Sequence, residues 1–236
     1  MVGFLVCASG LVLVAAAGAV PVRETPAQLL QHRGMPMALA TIALGVAALW
    51  RFSTSGEHGR ESVGPGEFRR RWMLVALFVG VIYLTLPFGA QVVGAVVDSV
   101  GSPAFRRAVN TLGGLVGLAC VGLLLRRGTP ARAYPIFAGL LLLYGYYFWV
   151  LEVTVKRIHF LEYSVLSVLG ERALRPLSTP PRRYLWIVLL SVGAGAVEEG
   201  IAVFLPQRFG AVSDVLFDTA AGTLGALFVR FVLRAG

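Results

Sequence analysis

Trp72 to Val97 reads WMLVALFVGVIYLTLPFGAQVVGAVV, and no charged side chain interrupts it. A helix needs roughly 20 apolar residues to cross a bilayer, and this stretch exceeds that length. Arg69, Arg70 and Arg71 stand directly before it, where cations meet lipid headgroups and fix orientation. Pro87 removes a backbone donor, so the segment is expected to tilt or to break there.

The same pattern recurs in both directions along the chain. Apolar segments lie at 2–20, 35–50, 109–125, 134–151, 157–171, 184–205 and 212–233. Of the 236 residues, 57% are hydrophobic and 14% charged, against about 25% charged in a soluble domain. So little charge cannot cover a water-soluble particle of this size. The expected fold is all-α, a polytopic transmembrane helical bundle of about eight spans. Segment 2–20 ends in Ala17-Gly18-Ala19, a small-residue pattern like a secretory cleavage site, but no Lys or Arg precedes Arg23. A retained helix is therefore expected.

The net charge of +9 comes from 21 Lys and Arg residues set almost entirely between the apolar blocks. Charges placed this way orient a membrane protein, and nucleic acid is not an expected partner. If 157–171 spans, the loops around 51–71, 126–132 and 172–183 share one side with the C-terminal tail. That side holds 14 Lys and Arg and the other 7; without that span the split is 9 against 12. The positive-inside rule favours eight spans with both termini cytoplasmic. The stretch 51–71 is the one long hydrophilic loop, a flexible linker in which His58 has no ligand-like neighbours. Cys7 and Cys120 sit in apolar segments without partners at metal or redox spacing, and read as small buried hydrophobes.

Ionisable groups inside a bilayer cost on the order of 2.5–3.5 kcal/mol, so they are where function is sought. Three clusters stand in the C-terminal half. In Lys156-Arg157-Ile158-His159-Phe160-Leu161-Glu162-Tyr163, the residues Lys156, His159 and Tyr163 share one helix face. Snorkelling at a helix end accounts for Lys156 and Arg157, but not for His159 followed by Glu162. Glu198-Glu199 lies inside LLSVGAGAVEEGIAVFLP, where adjacent side chains point about 100° apart, so only one need face the bundle interior. Arg208 precedes Asp214 and Asp218, spaced i, i+4 on the last helix. Asp214 suits a helix N-terminus, whereas Asp218 lies one turn deeper. Ala220, Ala221, Gly222 and Gly225 beyond it suggest a packed helix seam.

These residues carry a resemblance, over roughly 134–233, to the VanZ-like family of bacterial membrane proteins. The family shows Asp-Lys-x-x-His-Phe-x-x-Tyr entering one helix, and this chain has Lys156, His159, Phe160 and Tyr163 at that spacing. An acidic residue near the end of the next helix, a Pro-x-Arg turn and an Asp-x-x-x-Asn-x-x-Gly-x-x-x-Gly helix follow in the family. Glu199, Pro206 with Arg208, then Asp214, Asp218, Ala221 and Gly225 take those places. Val155 replaces the Asp, Ala202 a Gln, and Asp218 the Asn. Asn110, Gly113 and Gly117 repeat the Asn-x-x-Gly-x-x-x-Gly form, which suggests two four-helix halves, 1–125 and a VanZ-like 126–236.

The resemblance implies a multi-pass cell-envelope protein of the bacterial cytoplasmic membrane, a family tied by name to glycopeptide resistance. The expected site groups Lys156, His159, Tyr163, Glu199, Arg208, Asp214 and Asp218 near the non-cytoplasmic face. Lys156, His159 and Arg208 would engage an anionic lipid or cell-wall-precursor headgroup while the carboxylates hold those cations. A proton- or ion-coupled transporter is the alternative, with Glu199 and Asp218 carrying the proton. An intramembrane hydrolase is less favoured, since Val203 stands where Glu-Glu-x-x-x-Arg proteases have Arg. One intramembrane His is too few for a metal site, and no cofactor is expected.

Overall fold

The structure, a computed structural model, describes residues 34–52, 61–151, 153–205 and 210–234. The expected first span (2–20), Cys7, His58, Pro206 and Arg208 lie outside the described residues. Seven α-helices make up the rest: α1 Met35–Phe52, α2 Pro65–Val100, α3 Ser102–Arg126, α4 Ala133–Val150, α5 Thr154–Leu174, α6 Arg182–Val203 and α7 Val212–Phe228. A π turn, Val229–Leu233, continues α7.

Six of these, α1 to α4, α6 and α7 with its π turn, are long and apolar enough to cross a membrane. The chain is a multi-pass helical membrane protein whose surroundings are a lipid bilayer. The eight spans expected are not reached among the described residues. Besides the segment that is not described, α5 falls short in hydropathy, because Lys156, Arg157, His159, Glu162, Glu171 and Arg172 all lie on it. Its polar groups are tolerated because they face protein. Arg157, Tyr163, Ser167 and Glu171 are all buried, which is where intramembrane polar groups belong.

Local sequence sets the helix ends. Pro65 occupies the first turn of α2, where its missing N–H would have no helical partner anyway. The helix starts well before Trp72 and runs through Pro87 to Val100 without a break. Gly101, at φ +83°, separates α2 from α3 by a single residue. That conformation suits glycine because it lacks a Cβ.

Helix α7 is the hub, packing most extensively against α5, α6 and α1. Its buried face is built from Ala220, Ala221, Gly222, Gly225 and Ala226, whose small side chains let neighbouring backbones approach. Ser167 on α5 donates to the Gly222 carbonyl at 2.8 Å. Thr41 on α1 pairs with Tyr147 on α4 at 2.8 Å, and Tyr83 on α2 donates to the Ala194 carbonyl on α6 at 2.9 Å. By contrast α2 and α3 leave Leu77, Leu84, Phe88, Leu115 and Leu118 exposed, as a lipid-facing surface requires. Cys120 on α3 is half-buried against the core.

One end of the bundle is closed by charge. Glu171 is 1% exposed, and its carboxylate lies 3.1 Å from Arg175 Nε, 3.5 Å from Arg183 Nη1 and 2.6 Å from Arg234 Nη2. Arg71 donates to both oxygens of Glu61 at 2.9 Å and to the Arg172 carbonyl at 3.0 Å. The Arg71 hydrogen bonds hold the Glu61 carboxyl below its ordinary value of 4.5. A depressed folded value means that this clasp stabilises fully above the ordinary carboxyl range and fades as pH falls through the lowered value. We expect the thermal-stability gap between wild type and Glu61→Gln to be present at pH 7 and to shrink below about pH 4.5. A gap that stays constant down to strongly acidic pH would refute this role for Glu61.

Candidate functional site

At the opposite end, the start of α5 is fixed by Arg157. Its Nε donates to the Leu151 carbonyl at 2.9 Å and its Nη1 to Asn110 Oδ1 on α3 at 2.7 Å. Arg157 therefore does not snorkel to the surface as a helix-end cation would. It is a buried staple joining α3 to the α4–α5 turn. Asn110, read from the sequence as part of a repeat, is its acceptor.

With α5 held in this rotation, its stripe of polar residues faces α6 and α7. Lys156 forms an ion pair with Asp214 in the first turn of α7. His159 Nδ1 lies 3.0 Å from Glu162 Oε2 and 3.4 Å from Glu198 Oε1. Tyr163 donates its hydroxyl to the other Glu198 oxygen at 2.9 Å. Glu198 thus bridges imidazole and phenol from across the helix interface. Glu199 points another way and accepts the Ala211 backbone N–H at 2.7 Å, tying the end of α6 to the segment that opens α7.

Asp218 sits one turn below Asp214, about 6 Å along the axis. It is 6% exposed, and among the described residues no hydrogen bond or ion pair satisfies its carboxylate. It reaches this depth because Gly195 faces it. A Cβ built there would be 3.2 Å from Asp218 Oδ2 and 3.6 Å from the Tyr163 hydroxyl.

These groups surround a cavity of about 560 Å³ between α2, α5, α6 and α7. Lys156, His159, Glu198, Glu199, Asp214 and Asp218 supply its polar lining, and Gly89, Ala90 and Val93 of α2 its apolar wall. Five of the seven residues expected from the sequence line it. Tyr163 touches it through Glu198, and Arg208 lies outside the described residues. The sequence reading passed over Glu198 in favour of its neighbour. Its signal was present as an adjacent pair of carboxylates, but choosing between them needed the helix rotation. Val155 and Ala202 line the cavity beside these groups. Among the described residues no group of three His, Cys, Asp or Glu side chains could hold a metal ion.

Chemically, the arrangement brings both signs of charge into one cavity, with carboxylates in excess. Lys156 and His159 are already matched by carboxylates, so the surplus acceptors are those of Glu199 and Asp218. Comparison with known proteins gives no relative: no protein-family model, curated protein or solved structure matches this chain.

Proposed function

We propose that this chain is a VanZ-like protein of the bacterial cytoplasmic membrane whose intramembrane cavity receives a lipid or cell-wall-precursor headgroup. The observation that carries the reading is the gathering of Lys156, His159, Glu199, Asp214 and Asp218 around one cavity. They come from three helices, and in sequence they are the positions that carry the resemblance. The Lys156–Asp214 pair joins the motif on α5 directly to the motif on α7. Residues 126–236 form the VanZ-like part in this reading, and helices α1 to α3 pack against it.

Eight spans with both termini cytoplasmic belong to the same reading. Helix α5, 21 residues and about 31 Å long, runs from the cavity end to the Glu171 end. Arg71, Arg172, Arg175, Arg183 and Arg234 gather at the latter end. They belong to segments that the charge count assigns to the cytoplasm, which supports the orientation.

The test is to express Glu199→Gln and His159→Ala beside wild type, measure membrane abundance, and profile co-purified lipids by mass spectrometry. Normal abundance with loss of one lipid class is the expected result. If both variants disappear from the membrane, the polar groups only hold helices together and the reading fails. Proton or ion coupling is a second reading, favoured by the surplus carboxylates. A proton flux in proteoliposomes that Glu199→Gln abolishes would promote it over the first.

A further inference from the structure

We infer that the ligand of this cavity is an aminophospholipid, its primary ammonium received by Asp218 and its phosphate by Lys156; this rests on the headgroup reading above. The inference starts from which acceptors are already used. Asp214 is committed to Lys156, one Glu198 oxygen takes the Tyr163 hydroxyl, and one Glu199 oxygen takes the Ala211 N–H. Asp218 is different. It lines the cavity, is 94% buried, and has no hydrogen-bond or ion-pair partner among the described residues. A buried carboxylate left in that state is unfavourable; it is relieved by a proton or by a donor from outside the chain, and the cavity beside Asp218 has room for the donor.

The lining decides which donor fits. A primary ammonium brings three N–H groups, enough for Asp218 and for Glu199 beside it on the cavity wall. A quaternary ammonium has no N–H and is normally held in an aromatic cage, whereas among the described residues Phe217 is the one Phe, Tyr or Trp on this cavity wall. Lys156 has three N–H groups, so a phosphate can share it with Asp214, but a purely anionic headgroup would bring nothing to offset the other carboxylates.

Position decides the orientation. The Lys156 side chain is 37% exposed and the Asp214 side chain 25%, so this pair stands at the mouth, with Asp218 one turn deeper. A phosphate at Lys156 and an ammonium at Asp218 are then separated by about one helical turn, roughly 6 Å, the reach of an ethanolamine phosphate. The α2 wall is apolar, and Ala90 on it is exposed beside the outward-facing Phe88 and Val92. Acyl chains can remain in the bilayer along that flank while the headgroup enters.

The experiment is native mass spectrometry of the purified full-length chain with matched amounts of phosphatidylethanolamine, its N-methylated forms, phosphatidylcholine and phosphatidylglycerol. Wild type is expected to retain phosphatidylethanolamine roughly tenfold better than phosphatidylcholine, with stepwise loss on N-methylation. Asp218→Asn, which keeps the side-chain shape, should erase that preference. Retention of phosphatidylglycerol above phosphatidylethanolamine would overturn the ammonium assignment and leave the headgroup reading standing. No lipid retained above background would overturn both. An unchanged preference in Asp218→Asn would remove Asp218 from the site. Binding of soluble phosphoethanolamine as tight as that of the lipid would overturn the bilayer as its source. The lipid comparison on wild type needs no variant, so a misfolded Asp218→Asn would not block the test.

Discussion

Replacing Glu171 by Ala is expected to cost about 3–5 kcal/mol of stability, the largest effect of any single side chain outside the cavity. The carboxylate is the shared partner of Arg175, Arg183 and Arg234, which reach it from the end of α5, the start of α6 and the chain's C-terminal turn. Only 1% of the residue is exposed, so water cannot replace the lost charge. Removing one member of a buried network is costly because the others stay buried without compensation. Arg183 is the most affected of the three, since its side chain is 3% exposed. Its bonds to the Ser178 carbonyl, at 2.9 and 3.1 Å, satisfy donors but bring no negative charge. Glu171→Gln should fall between wild type and Ala, because it keeps the shape and some acceptor capacity. Thermal or denaturant unfolding in a mild detergent reads the difference. A loss below about 1 kcal/mol, the value of a surface ion pair, would show that the network is solvated and contradict this account.

Gly222→Ala is the second large effect, and its origin is steric. A Cβ on Gly222 would lie 2.1 Å from Ser191 Oγ and 2.5 Å from Ser191 Cβ. The Oγ could rotate away, but Ser191 Cβ moves only with the α6 backbone. The added methyl therefore drives α6 and α7 apart, an overpacking cost of typically 1–3 kcal/mol. The site should suffer with it, because Glu198 and Asp218 sit on those two helices and face each other across the same seam. Loss of stability and of the co-purified lipid are expected together. Ser191→Gly removes the obstructing atoms, so the double variant should recover most of what Gly222→Ala loses. Additive losses in that double-mutant cycle would place the clash elsewhere.

These two residues also show how far local sequence could be read. Gly222 stood out as part of a small-residue seam, and the seam is there. Its partner Ser191 had no marker, since a serine in an apolar run looks the same whether it faces lipid, a neighbour or its own backbone. In the sequence Glu171 is only a charge at the end of the segment 157–171. Its three arginines are far apart in sequence and converge only because the helix ends meet. Arg157 reads in the sequence as a snorkelling helix-end cation, yet it is buried against Asn110, whose position depends on how α3 lies beside α5.

The sequence by itself determined the solvent and the secondary structure. Apolar blocks of bilayer length, separated by arginine-rich turns, leave the helix as the way to satisfy every backbone group in lipid. Helix positions follow from these local runs to within a few residues, except that α2 and α3 each begin seven residues before the apolar runs expected at Trp72 and Val109. The tertiary structure decided which polar groups meet. Hydropathy gives a helix its place in the membrane but not its rotation about its own axis, which is set by small residues packing against neighbours. That rotation turned Glu198 toward His159 and Tyr163 and Glu199 toward Ala211, and it left Asp218 facing the cavity without a partner among the described residues.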